Sequence, residues 1–355
     1  MSTSISILIC TRDRLGKLKE TLRTIAKLSL PADRETELVV VDNGSTDGTA
    51  AWVEQQTLPG LSVRLIREPK PGTGYARTAA LQAARGEILL FTDDDVRVPP
   101  DWVENMCAPI LEEEADVVGG TAALAPSLRR DWMNAFHRAT LASTEETATA
   151  DQPSPITINM ALHRRVLREV PAFDPELGPG SKMGFLEDTL FSWQLQEAGF
   201  RFAEVGDAEV EHHPSEDRLR RSAFLKAARE RGRSTAYLRY HWLHWNEWDF
   251  TNRSAWYEVW RHPYCVIVKR GLHLLWWRLI NIGAIQHRDG IRYYEFSLVN
   301  LFYQALQYLK ERHRSRNYEK RGLRKRSGVL PERLRLRETP HERDDSCRGA
   351  RGRSA

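Results

Sequence analysis

The chain has 355 residues, 41% of them hydrophobic and 28% charged, with a formal net charge of +4. That length allows one large domain with an appendage or two domains, and the composition is that of a soluble globular protein, not a fibrous or disordered one. The charge is uneven: from Lys310 to Ala355 there are 16 Lys or Arg against 7 Asp or Glu, so the basic excess is a tail, and the net-acidic remainder does not suit nucleic acid.

Taken in order, Ile5 to Cys10 predicts a strand that runs into Thr11-Arg12-Asp13-Arg14. Leu15, Leu18, Leu22, Ile25 and Leu28 recur at helical spacing, and Pro31 ends that helix. Glu37 to Val41 is a second strand, mostly Val and so buried, leading into the turn chemistry of Asp42 to Thr49. A short helix with Trp52 and Val53, a third strand from Leu61 to Ile66, and the Gly72-Thr73-Gly74 loop opening a helix to Ala84 follow. The apolar run Leu89-Leu90-Phe91 then stops at Thr92-Asp93-Asp94-Asp95. Four alternations of strand and helix predict an α/β fold: a mostly parallel, Rossmann-like sheet with helices on both faces.

Beyond it the pattern predicts a helix from Asp101 to Glu113, strands at Val117–Ala123 and Ile156–Met160, and a short helix to Val170. Pro171 to Phe185 reads as a long Gly- and Pro-rich loop, and Glu187-Asp188 opens a helix closed by Gly199. Two short strands, Phe200–Val205 and Ala208–Val210, end at His212-His213-Pro214. From Ser222 the composition shifts to a basic helix, an aromatic-rich stretch around Trp242 to Trp260, the Leu272–Ile285 segment and an amphipathic run from Ile291 to Leu309. The expected division is therefore an α/β domain over 1–215, a C-terminal helical appendage over 216–310 and a basic, disordered tail over 311–355.

Four widely spaced cysteines form no disulfide or zinc pattern, which suits a reducing, cytoplasmic setting. Neither a secretory leader nor a membrane-spanning run is expected. The three successive aspartates, at the C-terminal end of a buried strand, repel one another unless a cation or a shared proton relieves them. A hard cation such as Mg²⁺ or Mn²⁺ suits such oxygen ligands, and the carboxyl edge of an open α/β sheet is where ligands bind. A solvated acidic turn is the plain alternative.

Five stretches in fixed order carry a family likeness: Ile7 to Asp13, Val41 to Thr49, Gly72 to Thr78, Thr92 to Val96, and Glu187-Asp188. Together they resemble a family 2 glycosyltransferase of the GT-A fold, over roughly Ser4 to Pro214. Asn43, where a second acid is common, and Thr78, where Asn is usual, depart from the pattern.

The resemblance implies an inverting transfer of a sugar from a nucleotide-diphosphate donor to an acceptor hydroxyl, in cell-surface polysaccharide or glycoconjugate synthesis. It implies a donor pocket of Thr11, Asp13, Asp42, Arg77, Asp93 and Asp94. A divalent ion, Mg²⁺ or Mn²⁺, would sit at Asp95 and Asp93 with His212 completing its shell, and Asp188 would be the general base. Each has a structural alternative: Asp42 an Asx turn, Asp188 a helix N-terminal charge, Arg77 a surface helix residue, His212 a strand-end residue. The rival functions are a non-catalytic carbohydrate- or partner-binding module on the same fold and a haloacid-dehalogenase-type phosphohydrolase. The acceptor is a glycan, a lipid-linked group or a small molecule. The aromatic, basic C-terminal third is expected either to touch the inner face of the plasma membrane peripherally or to pack on the core or in a homodimer seam.

Overall fold

The structure is a computed structural model and describes residues 4–145, 154–244, 263–281 and 289–319. Its first half is the expected parallel unit. β1 (Ile5–Thr11), β2 (Thr36–Asp42), β3 (Ser62–Arg67) and β4 (Ile88–Asp93) lie in the order β3-β2-β1-β4, all parallel. The crossovers carry α1 (Leu15–Ile25), α2 (Thr49–Val53) and α3 (Thr73–Ala83). Successive side chains of a strand point to opposite faces, and here both faces are covered. Ile7, Ile9, Leu38, Val40 and Leu90 pack with Leu18 and Leu22 of α1. Leu8, Val39, Val41, Leu89 and Phe91 pack with Ala76, Ala80 and Leu81 of α3. This explains why the strands read as unbroken apolar runs. Truncating one such leucine to alanine would cost about 2–5 kcal/mol. The register sets Thr11 opposite Asp42 and Cys10 opposite Asp93, so all the loops that matter leave one sheet edge.

The second half turns the sheet mixed. After β5 (Val96–Arg97) come α4 (Trp102–Leu111), β6 (Val117–Leu124), α5 (Ala135–Thr140), β7 (Asn159–His163), α6 (Glu187–Glu197) and β8 (Phe202–His212). The full order is β3-β2-β1-β4-β7-β6-β8-β5, with β7 antiparallel to both neighbours and β5 antiparallel to β8. Two expectations shift. The strand foreseen at Ile156–Met160 begins three residues later, because the buried Asn159 starts the pairing opposite Thr92. Its amide donates to the Thr121 and Ala208 carbonyls and accepts from the Trp102 indole, a tertiary set of partners that no periodicity reveals. The two short strands after Phe200 are one strand whose register against β6 shifts between Gly120 and Ala122, a bulge that absorbs the exposed Gly206 and Asp207. The helix expected before Val170 is a 3₁₀ turn, Arg164–Arg168.

The appendage is helical as foreseen: α7 (Arg221–Tyr237), a π turn at Leu238–Trp242, α8 (Pro263–Ile280) and α9 (Tyr293–Glu311). Leu124 and Leu128, at the end of β6, share a core with Phe224, Ala228, Phe296 and Val299. Leu177, Met183 and Leu190 share another with Tyr237, Leu238, Trp242 and Tyr318. The appendage therefore docks on the site edge of the sheet. Residues 312–318 differ from the expected loose tail: Arg314 pairs with Glu176 at 2.9 Å and Tyr318, 3% exposed, donates to Asp174. The cause is local, since Glu176 and Asp174 on the long loop offer these side chains partners that composition hides. The rest of the expected tail, 320–355, and Trp245, Trp248, Trp256 and Trp260 lie outside the described residues. Among the described residues, no helix is long and apolar enough to cross a membrane.

Candidate functional site

The loops after β1 and β2 are tied to each other first. Asp13 adopts a left-handed backbone (φ 51°), and its Oδ1 accepts from the Thr46 amide at 2.6 Å and the Thr46 hydroxyl at 3.1 Å, while its own amide donates to Ser45 Oγ. Asp42 is buried at the base of this cradle. Its Oδ1 accepts from the Ser45 amide at 3.1 Å, the Asx turn foreseen as its structural role, and its Oδ2 has no hydrogen-bond partner among the described residues. Asn43 holds the third loop: it donates to the Glu68 and Lys70 carbonyls and accepts from the Gly72 amide. A carboxylate could not donate to two carbonyls, which gives this departure from the family pattern a physical reason. Thr78, the other departure, accepts from the Phe173 amide at 3.1 Å and so fixes the start of the long loop.

The three aspartates face three ways. Asp93 is at the mouth, its side chain 34% exposed and drawn toward Arg77 at 3.4 Å. Asp94 turns inward: Thr11 donates to Oδ2 and Arg14 to Oδ1, both at 2.7 Å, so both oxygens are engaged inside the protein and not presented to a donor. Burial pushes its carboxyl up to about 7, against the pull of Arg14 and with the charge of Asp95 adding to the push. Asp95 is bound by the other arm of Arg14 and lies 3.3 Å from His212 Nε2. Burial raises its pKa, but the His212 and Arg14 contacts outweigh that and hold it well below the usual carboxylate range. His212 Nδ1 lies 2.8 Å from the Leu141 carbonyl. A carbonyl only accepts, so Nδ1 carries the proton and Nε2 is turned to Asp95. The edge pairing of β8 with β5, Val96 opposite His212, makes this approach.

On the other side of the mouth stands the start of α6. Leu186, its N-cap residue, is left-handed (φ 73°). Glu187 is buried, bridged to Arg77, and accepts from Thr73 Oγ1 at 3.3 Å. Burial, against Arg77, pushes it up to about 7. The Asp188 carboxylate accepts from the Thr189 amide at 2.7 Å. Burial raises its pKa, Arg77 opposes, and the charge of Asp93 adds to the rise. Arg77 ties the two sides together, bridged to Glu187 on one and 3.4 Å from Asp93 on the other. Gly178 (φ +88°) lies against Thr73 and Glu187: a Cβ there would sit 2.2 Å from Thr73 Oγ1 and 2.6 Å from the Glu187 carboxyl carbon, so only glycine lets the long loop approach.

The expected residues thus gather at one edge of the sheet. Among the described residues no three His, Cys, Asp or Glu side chains converge to hold a metal. Asp93 stands apart because Arg77 draws it away, whereas Asp95 and His212 do converge, and a ring nitrogen steadied by a carbonyl on its far side is the usual dress of a ligand histidine. These two residues fit a hard or borderline divalent ion that takes its other ligands from phosphate oxygens and water. Arg77 is a buried bridge over the Phe173 ring, 5.9 Å from its centroid, and not a surface helix residue.

Sequence reasoning passed over Arg14, which neutralises two aspartates, and Arg218. The latter lies on the turn Glu216–Leu219, in the field of Asp95, Asp93 and Glu230, and its guanidinium has no hydrogen-bond or ion-pair partner among the described residues. Arg14 was visible as a basic residue beside the first-strand motif; nothing local marked Arg218.

Residues 6–170 match the family model described as Glycosyl transferase family 2. Among curated proteins the chain is 32% identical over 124 residues to the succinoglycan biosynthesis protein ExoM of Rhizobium meliloti, covering 34% of this chain and 38% of that protein. It is 33% identical over 114 residues to the poly(ribitol-phosphate) beta-N-acetylglucosaminyltransferase TarS of Staphylococcus aureus, covering 32% of this chain and 20% of that protein. It is 28% identical over 146 residues to the dolichol-phosphate mannosyltransferase of Saccharomyces cerevisiae, covering 41% and 54%. The likeness spans well under two thirds of each relative. Among solved structures, the mannosyltransferase PcManGT from Pyrobaculum calidifontis, in complex with GDP-Man and Mn²⁺, superposes with a TM-score of 0.55 at 18% identity, over 88% of this chain and 89% of that one. At that identity the likeness is one of fold, and the fold is of the GT-A type.

Proposed function

From the match of residues 6–170 to the Glycosyl transferase family 2 model, we propose that this chain transfers a sugar from a nucleoside-diphosphate donor to an acceptor hydroxyl, with inversion. The observation that carries the reading is the pairing of a raised, half-buried Asp188, next to the Glu187–Arg77 bridge, with the Asp93–Asp95 strand end that the same arginine reaches. Asp42, its Oδ2 open, holds the nucleobase, with Thr11 and Asp13 shaping the same pocket. Asp93, exposed at the mouth and steadied by Arg77, meets the ribose or the diphosphate side. A Mg²⁺ or Mn²⁺ ion held by Asp95 and His212 would supply positive charge to the leaving diphosphate. Arg218 adds a second, protein-borne cation toward the same place.

Asp188 takes the proton of the acceptor hydroxyl as its oxygen bonds to the anomeric carbon and the bond to the donor phosphate breaks. One displacement with one base gives inversion, and a base so placed contributes about 10²–10⁴-fold to the rate. Burial suits Asp188 to this, because a raised carboxyl is a stronger base near neutral pH. Relatives named for succinoglycan, poly(ribitol-phosphate) and dolichol phosphate support a polysaccharide or lipid-linked acceptor. We place the reaction in the cytoplasm, against a membrane face.

The test is a panel of UDP-, GDP- and dTDP-sugars with Mn²⁺, read as release of nucleoside diphosphate and as thermal stabilisation by the diphosphate alone. A binder at 100 times its dissociation constant stabilises by about 2.7 kcal/mol. Release with one donor class, lost with EDTA, is the expected result. Stabilisation without release from any donor or acceptor favours the non-catalytic binding module, and neither signal defeats both readings.

A further inference from the structure

The helix α8 is built inside out for a soluble protein. Its inner side is modest: Trp277 is 8% exposed, and Leu274 packs against the core that holds Phe224 and Phe296. Its outer side is the apolar one. Val268, Leu272, Leu275, Trp276 and Leu279 recur at helical spacing and are each 57–62% exposed. Val268, Leu272 and Trp276 border a shallow groove of about 650 Å³ that also takes in Tyr264 and Lys269. Tyr293 (64% exposed) and Tyr294, at the start of α9, lie on the solvent side as well, and Tyr294 reaches His273 of α8 at 2.8 Å. A contiguous apolar face of this kind marks a binding surface.

Charge decides between occupants. The 18 residues of α8 include Lys269, Arg270 and Arg278 and no Asp or Glu. The acids of α9 are Glu295 and Glu311, each 1% exposed, and Glu295 is already shared between Arg221 and Arg278. The two helices therefore present no carboxylate to solvent. A second copy laid face to face would bring Lys269 and Arg270 of both copies together, four cationic side chains with no exposed acid on these helices to pair them. A bilayer with anionic headgroups meets both features at once. Apolar side chains and the Trp ring enter the headgroup–acyl boundary, and Lys and Arg stay with the phosphates.

We propose that the outer face of α8, extended by Tyr293 and Tyr294, docks on an anionic lipid surface, with the helix lying in the plane of the interface. The appendage shares cores with the end of β6 and with the long loop, so this contact fixes the catalytic cleft relative to the lipid. The inference is drawn from α8 and α9 alone and does not depend on the transfer chemistry.

The experiment is flotation of the full chain with phosphatidylcholine vesicles, with and without phosphatidylglycerol, at low and high salt. It is repeated with Leu272→Ser/Trp276→Ser and with Lys269→Gln/Arg270→Gln. The wild type should float with the anionic vesicles. The apolar variant should lose about tenfold or more in partitioning at every salt concentration. The basic variant should lose less and become insensitive to salt. Circular dichroism should be unchanged, since the apolar pair is more than half exposed. Flotation of the apolar variant equal to the wild type would assign lipid binding to the basic stretch 320–355 and overturn the proposal. Absence of flotation at low salt overturns it too, as does a dimer in sedimentation equilibrium that the apolar substitutions abolish.

Discussion

Two carboxylate pairs stand at the same edge of the fold, each served by one arginine, and they are not equivalent. At the end of β4, Asp94 and Asp95 share Arg14, whose side chain is 35% exposed. At the start of α6, Glu187 and its neighbour Asp188 lie in the field of Arg77, which is 9% exposed and packed over Phe173. Arg14 keeps part of its side chain in water; Arg77 is locked between a strand end, a helix start and an aromatic ring. The first arrangement suits a site whose positive charge is exchanged with the ligand state. The second suits a base that must keep one position and one pKa. The same residue types thus do different work because one guanidinium is solvated and the other is not.

The sharpest way to break the comparison is at Asp188. Asp188→Asn keeps the side chain's size and should lower transfer by about 10²–10⁴-fold or more while leaving the affinity for nucleoside diphosphate intact. Single-turnover transfer and equilibrium binding, measured side by side, check it. If transfer persists, the base is elsewhere, with Glu187 next in line. The pH profile gives the same test a sign. A base must be deprotonated to act, and burial holds Asp188 above its ordinary value, with Asp93 adding and Arg77 opposing. The acid limb of kcat/KM should therefore lie above the usual carboxylate range near about 4, and Arg77→Met should move it higher still.

Arg77 and Arg14 can next be compared through stability. Arg77→Met strands Glu187, 4% exposed, and should destabilise by about 3–5 kcal/mol in urea unfolding, with no recovery on adding Mn²⁺. Arg14→Met should cost less, because its guanidinium is partly in water, and Mn²⁺ should restore much of the loss by taking its place beside Asp95 and His212. Equal losses with equal rescue would erase the distinction drawn here.

The smallest effect is expected at Asp42. Its Oδ1 is used in the turn and its Oδ2 is open, so Asp42→Ala should weaken nucleoside diphosphate binding about tenfold, the loss of roughly one charge-assisted hydrogen bond, with little change in kcat. Titration calorimetry with the diphosphate reads it. Unchanged affinity would return Asp42 to the role of a turn residue.

Much of this was legible in the chain itself. The unbroken apolar runs around Val39, Leu8 and Leu89 fixed buried parallel strands, and the abrupt change from Phe91 to Asp93 fixed the edge at which chemistry would gather, because only a strand end lets carboxylates follow a buried run. The Gly72–Gly74 loop and Glu187-Asp188 announced themselves by composition. What local pattern could not supply were contacts made across the fold. The start of β7 moved to Asn159 because its amide finds partners on α4, β6 and β8. Arg14 reached the aspartates, and Arg218 came into their field, only once β1 and the turn after β8 were brought to the same edge. The sequence by itself determined the layers and the identity of the acids, since hydrophobic period and charge are local properties. Only the tertiary structure decided which acid meets which cation, which carboxyl is pushed up and which held down, and which face of α8 is left to solvent. Burial and pairing depend on what another part of the chain brings into contact.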